Sequence, residues 1–249
     1  MKNISNKKAT DKLIFALDAK NYEEALSWVE LLSGHVGMFK VGKELFTAAG
    51  PKIIQSIKER SEKVFLDLKF HDIPSTVAGA AEAAVRLNVD MFNVHATGGY
   101  QMIKEAVSAV RSCSDKMGKA RPLLLAVTVL TSLNNDDLKD IGFQKSTGEL
   151  VLRLAGLAKA AGASGVVASA RDIRMLRENF GEKFVILTPG IRNDAGAKKD
   201  DQKRTLSAYE AVKKGADYIV VGRPIRMAAK PLEACRQIIQ EIADGLAAK

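Results

Sequence analysis

The chain has 249 residues, of which 47% are hydrophobic and 27% are charged, a composition typical of a globular protein with a sizeable core. This length exceeds that of an ordinary domain and is normal for a single α/β barrel. The formal net charge of +9 indicates either a nucleic-acid surface or a positive field that attracts a phosphorylated or carboxylated metabolite. Because Lys and Arg are spread along the chain instead of forming one block with aromatic residues, we expect no nucleic-acid partner.

The cysteines and the amino-terminal residues favour a cytoplasmic protein. Cys113 and Cys235 are far apart and form no CxxC or Cys/His cluster, so neither a disulfide framework nor a zinc site is indicated. Residues 1–12 are basic and polar without the apolar segment of a signal peptide, and we expect a flexible tail there. No apolar run approaches the length of a membrane span, so no membrane association is expected.

Short apolar strands alternate with helices through residues 13–249. Strands other than the third are predicted at 13–17, 38–41, 89–94, 122–127, 165–168, 184–187 and 218–221. Helices are predicted at 22–33, 43–59 with a break near Gly50, 74–87, 100–112, 148–161, 172–179, 205–214 and 231–246, with a polar insert at 134–140. Short β-branched strands covered by helices are typical of a parallel sheet. Eight such units, without GxGxxG after the first strand, favour a single-domain (β/α)8 TIM barrel over a doubly wound sheet.

The third strand begins at Val64 and places charges in an otherwise apolar segment. Side chains alternate between the two faces of a strand, so Asp67 and Lys69 are expected on the same face. Asp72 follows the strand, and Pro74 suits the first turn of the next helix. Burying unpaired charges costs several kcal/mol per ion, so a segment that served only folding would rarely contain three of them. A purely structural ion pair is the alternative.

In TIM barrels the active site lies at the carboxyl-terminal ends of the strands. Nearly every predicted strand ends in a polar residue at this rim. These residues are Asp18, Lys40, Asp67 with Lys69, His95, Thr131 with Ser132, Ser169, Arg192 and Arg223. Any one of them could be a helix cap or a loop hydrogen bond, but their convergence on one rim predicts a functional site.

The loops after the seventh and eighth strands are predicted to bind phosphate. Gly222 allows close approach of the backbone, Arg223 can make a bidentate contact, and residues 224–225 can open a short helix whose N–H groups face the anion. The long polar segment 193–203 is interpreted as a lid that closes over the phosphate, with an ordinary surface loop as the alternative.

Residues 65–74, FLDLKFHDIP, resemble the signature of the orotidine 5′-phosphate decarboxylase family. The resemblance covers nearly the whole chain and continues in order through ALD at 16–18, KVG at 40–42, VHA at 94–96, LTS at 130–132, PGIR at 189–192, DQ at 201–202 and VGRPI at 221–225. It implies a TIM barrel that decarboxylates orotidine 5′-monophosphate to uridine 5′-monophosphate and CO2, the last step of de novo pyrimidine synthesis. It implies no metal and no organic cofactor.

The resemblance also implies roles for individual residues. Lys69 stabilises the carbanion formed at C6 and protonates it, while Asp67 keeps the lysine charged and oriented. Asp72 reaches the active site of a neighbouring subunit and completes a charged network with Lys40, so a homodimer is expected. The implied substrate contacts are Asp18 and Lys40 to ribose, Thr131 and Ser132 to the ring edge, Gln202, Arg223 and Arg192 to phosphate, and Asp67, Ile73, Thr76, Pro189 and Gly222 within the same segments.

Two other functions are consistent with parts of the sequence. Sister barrels that act on sugar phosphates resemble this chain in the DxKxxD element, but they bind magnesium and carry a glutamate at the end of the second strand. Here that position is Lys40, whose charge would repel a metal ion. A non-catalytic RNA-binding barrel would need clustered basic residues and stacking aromatics. The four Tyr and one Trp, mostly in predicted helices, do not supply them.

Overall fold

The computed structural model describes residues 2–191 and 206–249. Within these residues, eight parallel strands pair in chain order, and β8 pairs with β1 to close the barrel. The strands are β1 Leu13–Ala16, β2 Met38–Gly42, β3 Val64–Phe70, β4 Met91–His95, β5 Leu123–Val127, β6 Gly165–Val167, β7 Val185–Thr188 and β8 Tyr218–Val221. The predicted (β/α)8 barrel is therefore confirmed.

Helices pack around the outside of the barrel. They are α1 Lys2–Lys12, α2 Tyr22–Leu32, α3 Lys43–Ala49, α4 Lys52–Glu59, α5 Pro74–Arg86, α6 Gly99–Met117, α7 Asn135–Asp140, α8 Thr147–Ala160, α9 Ile173–Phe180, α10 Ala208–Lys213, α11 Arg223–Arg226 and α12 Pro231–Ala247. A short 3₁₀ turn, Ala96–Gly98, joins β4 to α6. Within the described ranges, no helix is both long and apolar enough to cross a membrane.

The strands are apolar on both faces because each face packs against a separate core. Outward-facing side chains such as Phe15, Phe39 and Phe92 belong to the large core beneath the helices. The inward-facing side chains form a second core that fills the barrel, made of Ile14, Ala16, Met38, Phe65, Met91, Leu125, Val127, Val167, Leu187 and Val220. A filled barrel leaves room for a ligand only at its ends.

The inner core becomes polar at the carboxyl-terminal rim. Strand periodicity carries the inward face of β2 from Met38 to Lys40 and that of β3 from Phe65 to Asp67. The register pairs Lys40 with Phe65 and Gly42 with Asp67, so Lys40 lies one inward-facing position below Asp67 and its long side chain reaches the carboxylate. The fold therefore positions the charged side chains side by side on top of an apolar plug.

The amino-terminal residues, for which the sequence predicts a flexible tail, form helix α1 in the structure. Helix α1 packs against α12 and β8, and Ala9 is fully buried. The Nζ of Lys12 donates a 3.0 Å hydrogen bond to the carbonyl oxygen of Asp217. The sequence of α1 has no apolar stripe that would predict a packed helix. The contacts that hold it come from elements distant in the chain.

The predicted polar insert follows β5, and the predicted lid follows β7. The predicted polar insert contains the short helix α7, which begins with a capping box in which Asn134 and Asp137 bond to each other's backbone N–H groups. The predicted lid 193–203, together with Arg192 and Gln202, lies outside the described residues.

Candidate active site

Four charged side chains of alternating sign form a chain across the rim of β1, β2 and β3. The Nζ of Lys40 lies 3.1 Å from Oδ1 of Asp18 and 3.4 Å from Oδ2 of Asp67. The Nζ of Lys69 lies 2.6 Å from Oδ1 of Asp67. The structure thus brings together Asp18, Lys40, Asp67 and Lys69, which the sequence placed on a common rim.

Burial makes the charges at the centre of this chain interdependent. The side chains of Asp67 and Lys40 are each only 12% exposed, whereas Lys69 is 26% exposed and Asp18 42%. Burial would raise the pKa of Asp67, but the ammonium groups of Lys40 and Lys69, with hydrogen bonds from Lys69 and Asn93, outweigh it and hold that pKa below its usual value. The Asp67 carboxylate is therefore an anion clamped between two cations.

The backbone at Lys69 is unusual for a strand. Its φ is +53°, in the left-handed region that non-glycine residues rarely adopt. The register between β3 and β4 is regular at Leu66 and shifts before Phe70. Simple alternation predicted that Lys69 shares a face with Asp67, and the two side chains are in contact. The strand is not regular at Lys69, however, so alternation alone does not explain the contact.

A residue that the sequence analysis missed, Asn93, connects this distorted strand end to β4. Its Oδ1 accepts a 2.8 Å hydrogen bond from the backbone N of Lys69, and its Nδ2 donates a 2.7 Å hydrogen bond to Oδ1 of Asp67. The available signal was parity, because Met91 and Asn93 occupy successive inward-facing positions of an apolar strand.

His95 lies beside the charged network at the end of β4. Its ring centroid is 5.4 Å from that of His71, which follows β3. Burial, then the charges of His71, Lys69 and Lys43, lower the pKa of His95 to about 4. The imidazole is therefore neutral near pH 7, and it adds no further cation beside Lys69.

The residues at the start of α5 lie apart from the network of their own chain. The side-chain oxygen of Asp72 accepts a 2.6 Å hydrogen bond from the backbone N of Ile73. Asp72, Ile73 and Thr76 are all exposed, and Ile73 is 64% exposed. The ion pairs found among the described residues do not include Asp72. Its predicted role in the network thus requires a second subunit.

The residues that follow β8 lie close to the end of β1. A Cβ atom on Gly222 would lie 3.1 Å from Cβ of Ala16 and 3.5 Å from Oδ2 of Asp18, so a larger residue would crowd Ala16 and touch the carboxylate. Arg223 is the first residue of α11 and is exposed. Within α11, Nη1 of Arg226 donates a 2.5 Å hydrogen bond to the carbonyl oxygen of Asp18. The predicted phosphate loop is therefore attached to the end of β1.

The remaining predicted residues lie at the same end of the barrel. Thr131 and Ser132 follow β5 and are half-buried and exposed respectively, and Pro189 follows β7 directly. No hydrogen bond among those described joins them to the charged network. Their positions after β5 and β7 put them at the rim that also holds the charged network.

The donor set at the rim does not resemble a metal site. Among the described residues, no group of three or more His, Cys, Asp or Glu side chains is placed to hold a metal ion. The ammonium of Lys40 lies between the two carboxylates that could otherwise attract a cation. The arrangement suits an anionic substrate that develops negative charge next to Lys69.

Comparison with known proteins agrees with this geometry. The family model described as Orotidine 5'-phosphate decarboxylase / HUMPS family matches residues 11–238. The orotidine 5′-phosphate decarboxylase of Syntrophus aciditrophicus is 56% identical over 249 residues, which are 100% of this chain and 99% of the relative. That of Moorella thermoacetica is 51% identical over 235 residues, 94% of this chain and 93% of the relative.

Solved structures show the same relationship. The crystal structure of orotidine 5′-phosphate decarboxylase from Lactobacillus acidophilus superposes with a TM-score of 0.82 at 39% identity, covering 92% of this chain and 98% of that one. The enzyme from Pyrococcus horikoshii OT3 gives a TM-score of 0.70 at 29% identity, with 92% and 98% coverage. The chain therefore belongs to the orotidine 5′-phosphate decarboxylase / HUMPS family.

Proposed function

We propose that this protein is an orotidine 5′-phosphate decarboxylase, which converts orotidine 5′-monophosphate to uridine 5′-monophosphate and CO2 in the last step of de novo pyrimidine synthesis. The observation that carries the proposal is the Lys69 ammonium held 2.6 Å from the buried Asp67 carboxylate at the rim of the barrel. The full-length relatives that bear this name support the same reaction.

Lys69 acts as general acid in this proposal. When the bond between C6 and the carboxylate breaks, its electron pair remains on C6, where the pyrimidine ring delocalises it poorly. A fixed ammonium next to C6 stabilises that developing charge and then transfers a proton to the carbon. The lysine, left neutral, regains its proton from solvent before the next turnover.

Asp67 orients the Lys69 ammonium, because its Oδ1 accepts a 2.6 Å hydrogen bond from Nζ of the lysine. Its negative charge also lies where the substrate carboxylate approaches, and repulsion there is relieved as CO2 leaves. That second contribution is ground-state destabilisation, whose weight in enzymes is debated. Lys40 balances the charge on the opposite side of Asp67.

Contacts distant from C6 hold the nucleotide. We assign Asp18 and Lys40 to the ribose hydroxyls, and Thr131 and Ser132 to the ring edge. Gly222 and Arg223, with Arg192 and Gln202, bind the phosphate, while Ile73, Thr76 and Pro189 complete the walls of the site. Binding energy from the phosphate then contributes to the transition state at C6.

We further propose a homodimer with shared active sites. Support comes from Asp72, whose carboxylate is exposed beside the 64%-exposed Ile73 and bonds only locally in the described chain. An exposed apolar side chain next to an unused carboxylate suits burial against a second copy. In the dimer, Asp72 would approach Lys69 of the neighbouring subunit. Free, buried Cys113 and Cys235 are consistent with a cytoplasmic enzyme.

The first test is turnover in the presence of a chelator. Purified protein should consume orotidine 5′-monophosphate with EDTA in the buffer, followed by the absorbance change of the pyrimidine. Activity that appears only after magnesium is added, or only with a sugar phosphate, would instead assign the protein to the metal-dependent branch of the family.

A second test addresses the phosphate contact. Arg223→Ala should reduce kcat/KM for orotidine 5′-monophosphate by about 100-fold or more, since a bidentate charged contact is lost, while activity on orotidine without phosphate changes little. Lys230→Ala, an exposed cation four residues beyond α11 that pairs with Glu233, is the matched control. Equal losses on both substrates would remove Arg223 from the phosphate site.

The dimer is tested by complementation. Lys69→Ala and Asp72→Ala variants should each be inactive alone. After mixing and subunit exchange, about a quarter of all sites should regain activity, because each heterodimer then contains one site with both residues intact. If the mixture stays inactive although heterodimers form, Asp72 does not serve the partner's site.

A further inference from the structure

Asn93 is an amide buried inside an apolar barrel. It lies on β4 between Met91 and the rim, and the residue is 1% exposed. A buried amide without partners would cost several kcal/mol. Both ends of this amide are bonded, and both bonds go to the same short segment of β3.

The first bond supports the backbone of Lys69. At φ +53° the N–H of this residue leaves the regular ladder, where the register of β3 and β4 shifts. A left-handed lysine costs of the order of 1–3 kcal/mol and persists only where surrounding contacts hold it. The 2.8 Å hydrogen bond to Oδ1 of Asn93 replaces the missing backbone acceptor.

The second bond orients the carboxylate of Asp67. Its Oδ1 accepts both the Nδ2 of Asn93 at 2.7 Å and the Nζ of Lys69 at 2.6 Å, while its Oδ2 faces Lys40 at 3.4 Å. Two hydrogen-bond donors, from β3 and β4, and the facing ammonium of Lys40 on β2 therefore fix the plane of one carboxylate. Loss of the amide would free Asp67 to rotate between the two lysines.

We propose that Asn93 is a positioning residue that sets the location of the Lys69 ammonium, by holding its left-handed backbone with one end of the amide and its carboxylate partner with the other. The inference rests on the proposed function for its catalytic consequence. Asn93 itself touches neither the substrate nor C6. Its effect is exerted through Asp67 and Lys69.

The test compares two substitutions that remove different parts of the amide. Asn93→Ala removes both bonds and should lower kcat by about 10- to 100-fold, the loss expected for misplacing a catalytic group by about 1 Å. Affinity for the product uridine 5′-monophosphate should change less than about threefold, because the ribose and phosphate contacts are untouched.

Asn93→Asp keeps an oxygen for the N–H of Lys69 but places a second carboxylate against Asp67. Two carboxylates in contact raise the pKa of one of them, so protonation at lower pH restores a donor toward Asp67. The charged and titratable groups near this pair are Lys40, Lys69, His95 of the same strand and, beyond Lys40, Asp18. Turnover of this variant relative to wild type should therefore recover several-fold between about pH 8 and about pH 5.

Thr128→Val is the matched control. Thr128 follows β5 at the same rim, is 3% exposed and donates a 3.0 Å hydrogen bond to the carbonyl of Val167, so its loss removes a buried polar contact that involves neither Asp67, Lys69 nor Asn93. This variant should lose thermal stability without a change in kcat or in the pH profile. Asn93 variants that behave in this way, or whose kcat per folded molecule stays within about twofold of wild type, overturn the inference.

The two proposals fail in different ways. Wild-type protein that does not decarboxylate orotidine 5′-monophosphate refutes the proposed function. The positioning role is then read from a crystal structure of Asn93→Ala, in which Lys69 should leave the left-handed region and its Nζ should move away from Asp67. An unchanged Lys69 in that structure refutes the role of Asn93, whatever the substrate is.

Discussion

The two ends of the barrel both contain partly buried ion pairs, but they are built differently. At the amino-terminal end, Arg177 of α9 pairs with Asp217 before β8. Its guanidinium also donates to the backbone carbonyls of Gly215, Gly181 and Phe184, and Asp217 accepts from the backbone N of Ile186. These charged atoms thus bond largely to fixed main-chain groups.

At the carboxyl-terminal rim, the partners of the charges are other side chains. Asp67 pairs with Lys40 and Lys69 and accepts a hydrogen bond from Asn93, and the side chain of Lys69 is 26% exposed. An ion pair that stabilises the fold thus differs from an ion pair that is proposed to act on a substrate. Charges satisfied by main chain fasten elements together, whereas charges satisfied by one another near solvent are held ready for a substrate.

The largest expected effect is the loss of turnover when Lys69 at the rim is substituted. Lys69→Ala should reduce kcat by at least about 10⁴-fold, equivalent to about 5.5 kcal/mol of barrier, because both proton donor and carbanion stabiliser are lost. Uridine 5′-monophosphate should still bind, as measured by calorimetry. Near-normal turnover would remove Lys69 from the acid role.

Lys58→Ala is the control at the other end. Its Nζ lies 2.7 Å from the Oδ2 of Asp90, which also accepts from the backbone N of Val64, so the pair resembles Lys69 and Asp67 in chemistry but not in position. This variant should lose stability and keep its kcat. A comparable loss of kcat in both lysine variants would mean that the two ends are not functionally distinct.

The next effect concerns stability at Arg177. Arg177→Ala leaves Asp217 and three carbonyls without their partner, and should lower the free energy of unfolding by about 3–5 kcal/mol, measured by denaturant titration. Arg174, on the same helix, has an 83%-exposed side chain that pairs with Glu178, and Arg174→Ala should cost less than about 1 kcal/mol. The kcat of folded protein should be unchanged in both, and a selective loss of kcat in Arg177→Ala would contradict a structural role.

The smallest effect is the pH dependence contributed by His95. Its folded pKa of about 4 lies below the unfolded value of 6.5. Between these values the unfolded chain binds a proton that the folded chain does not, so the free energy of unfolding falls as the pH is lowered from about 6.5 to about 4. His95→Asn should flatten that slope in chemical denaturation at several pH values. An unaltered slope would show that His95 accepts a proton in the folded protein.

The prediction from sequence agrees best with the structure at the charged end of β3. The alternation of β3 and the polar residues at neighbouring strand ends predicted Asp67 and Lys69 on one rim with Lys40 and Asp18, and the structure brings these four side chains together. The capping box of Asn134 and Asp137 was present in the sequence and could have predicted α7.

Other features depended on contacts between distant residues. Asn93 was missed because a single polar residue in an apolar strand does not indicate what it bonds to. The left-handed Lys69 was missed because a register shift arises from pairing between strands and leaves no local pattern. A flexible tail was predicted for the residues of α1, since their own sequence shows no reason to pack. The contacts of α1 are with α12 and, through Lys12, with Asp217.

By itself the sequence determined the eight-unit barrel, the rim on which the chemistry lies, and the charged residue types delivered there, since strand periodicity and the direction of parallel strands are local properties. Only the tertiary structure decided the order Asp18–Lys40–Asp67–Lys69, the distorted end of β3 and the amide of Asn93 that holds it. Those features depend on how neighbouring strands align when the barrel closes, and that alignment is set by packing across the whole chain.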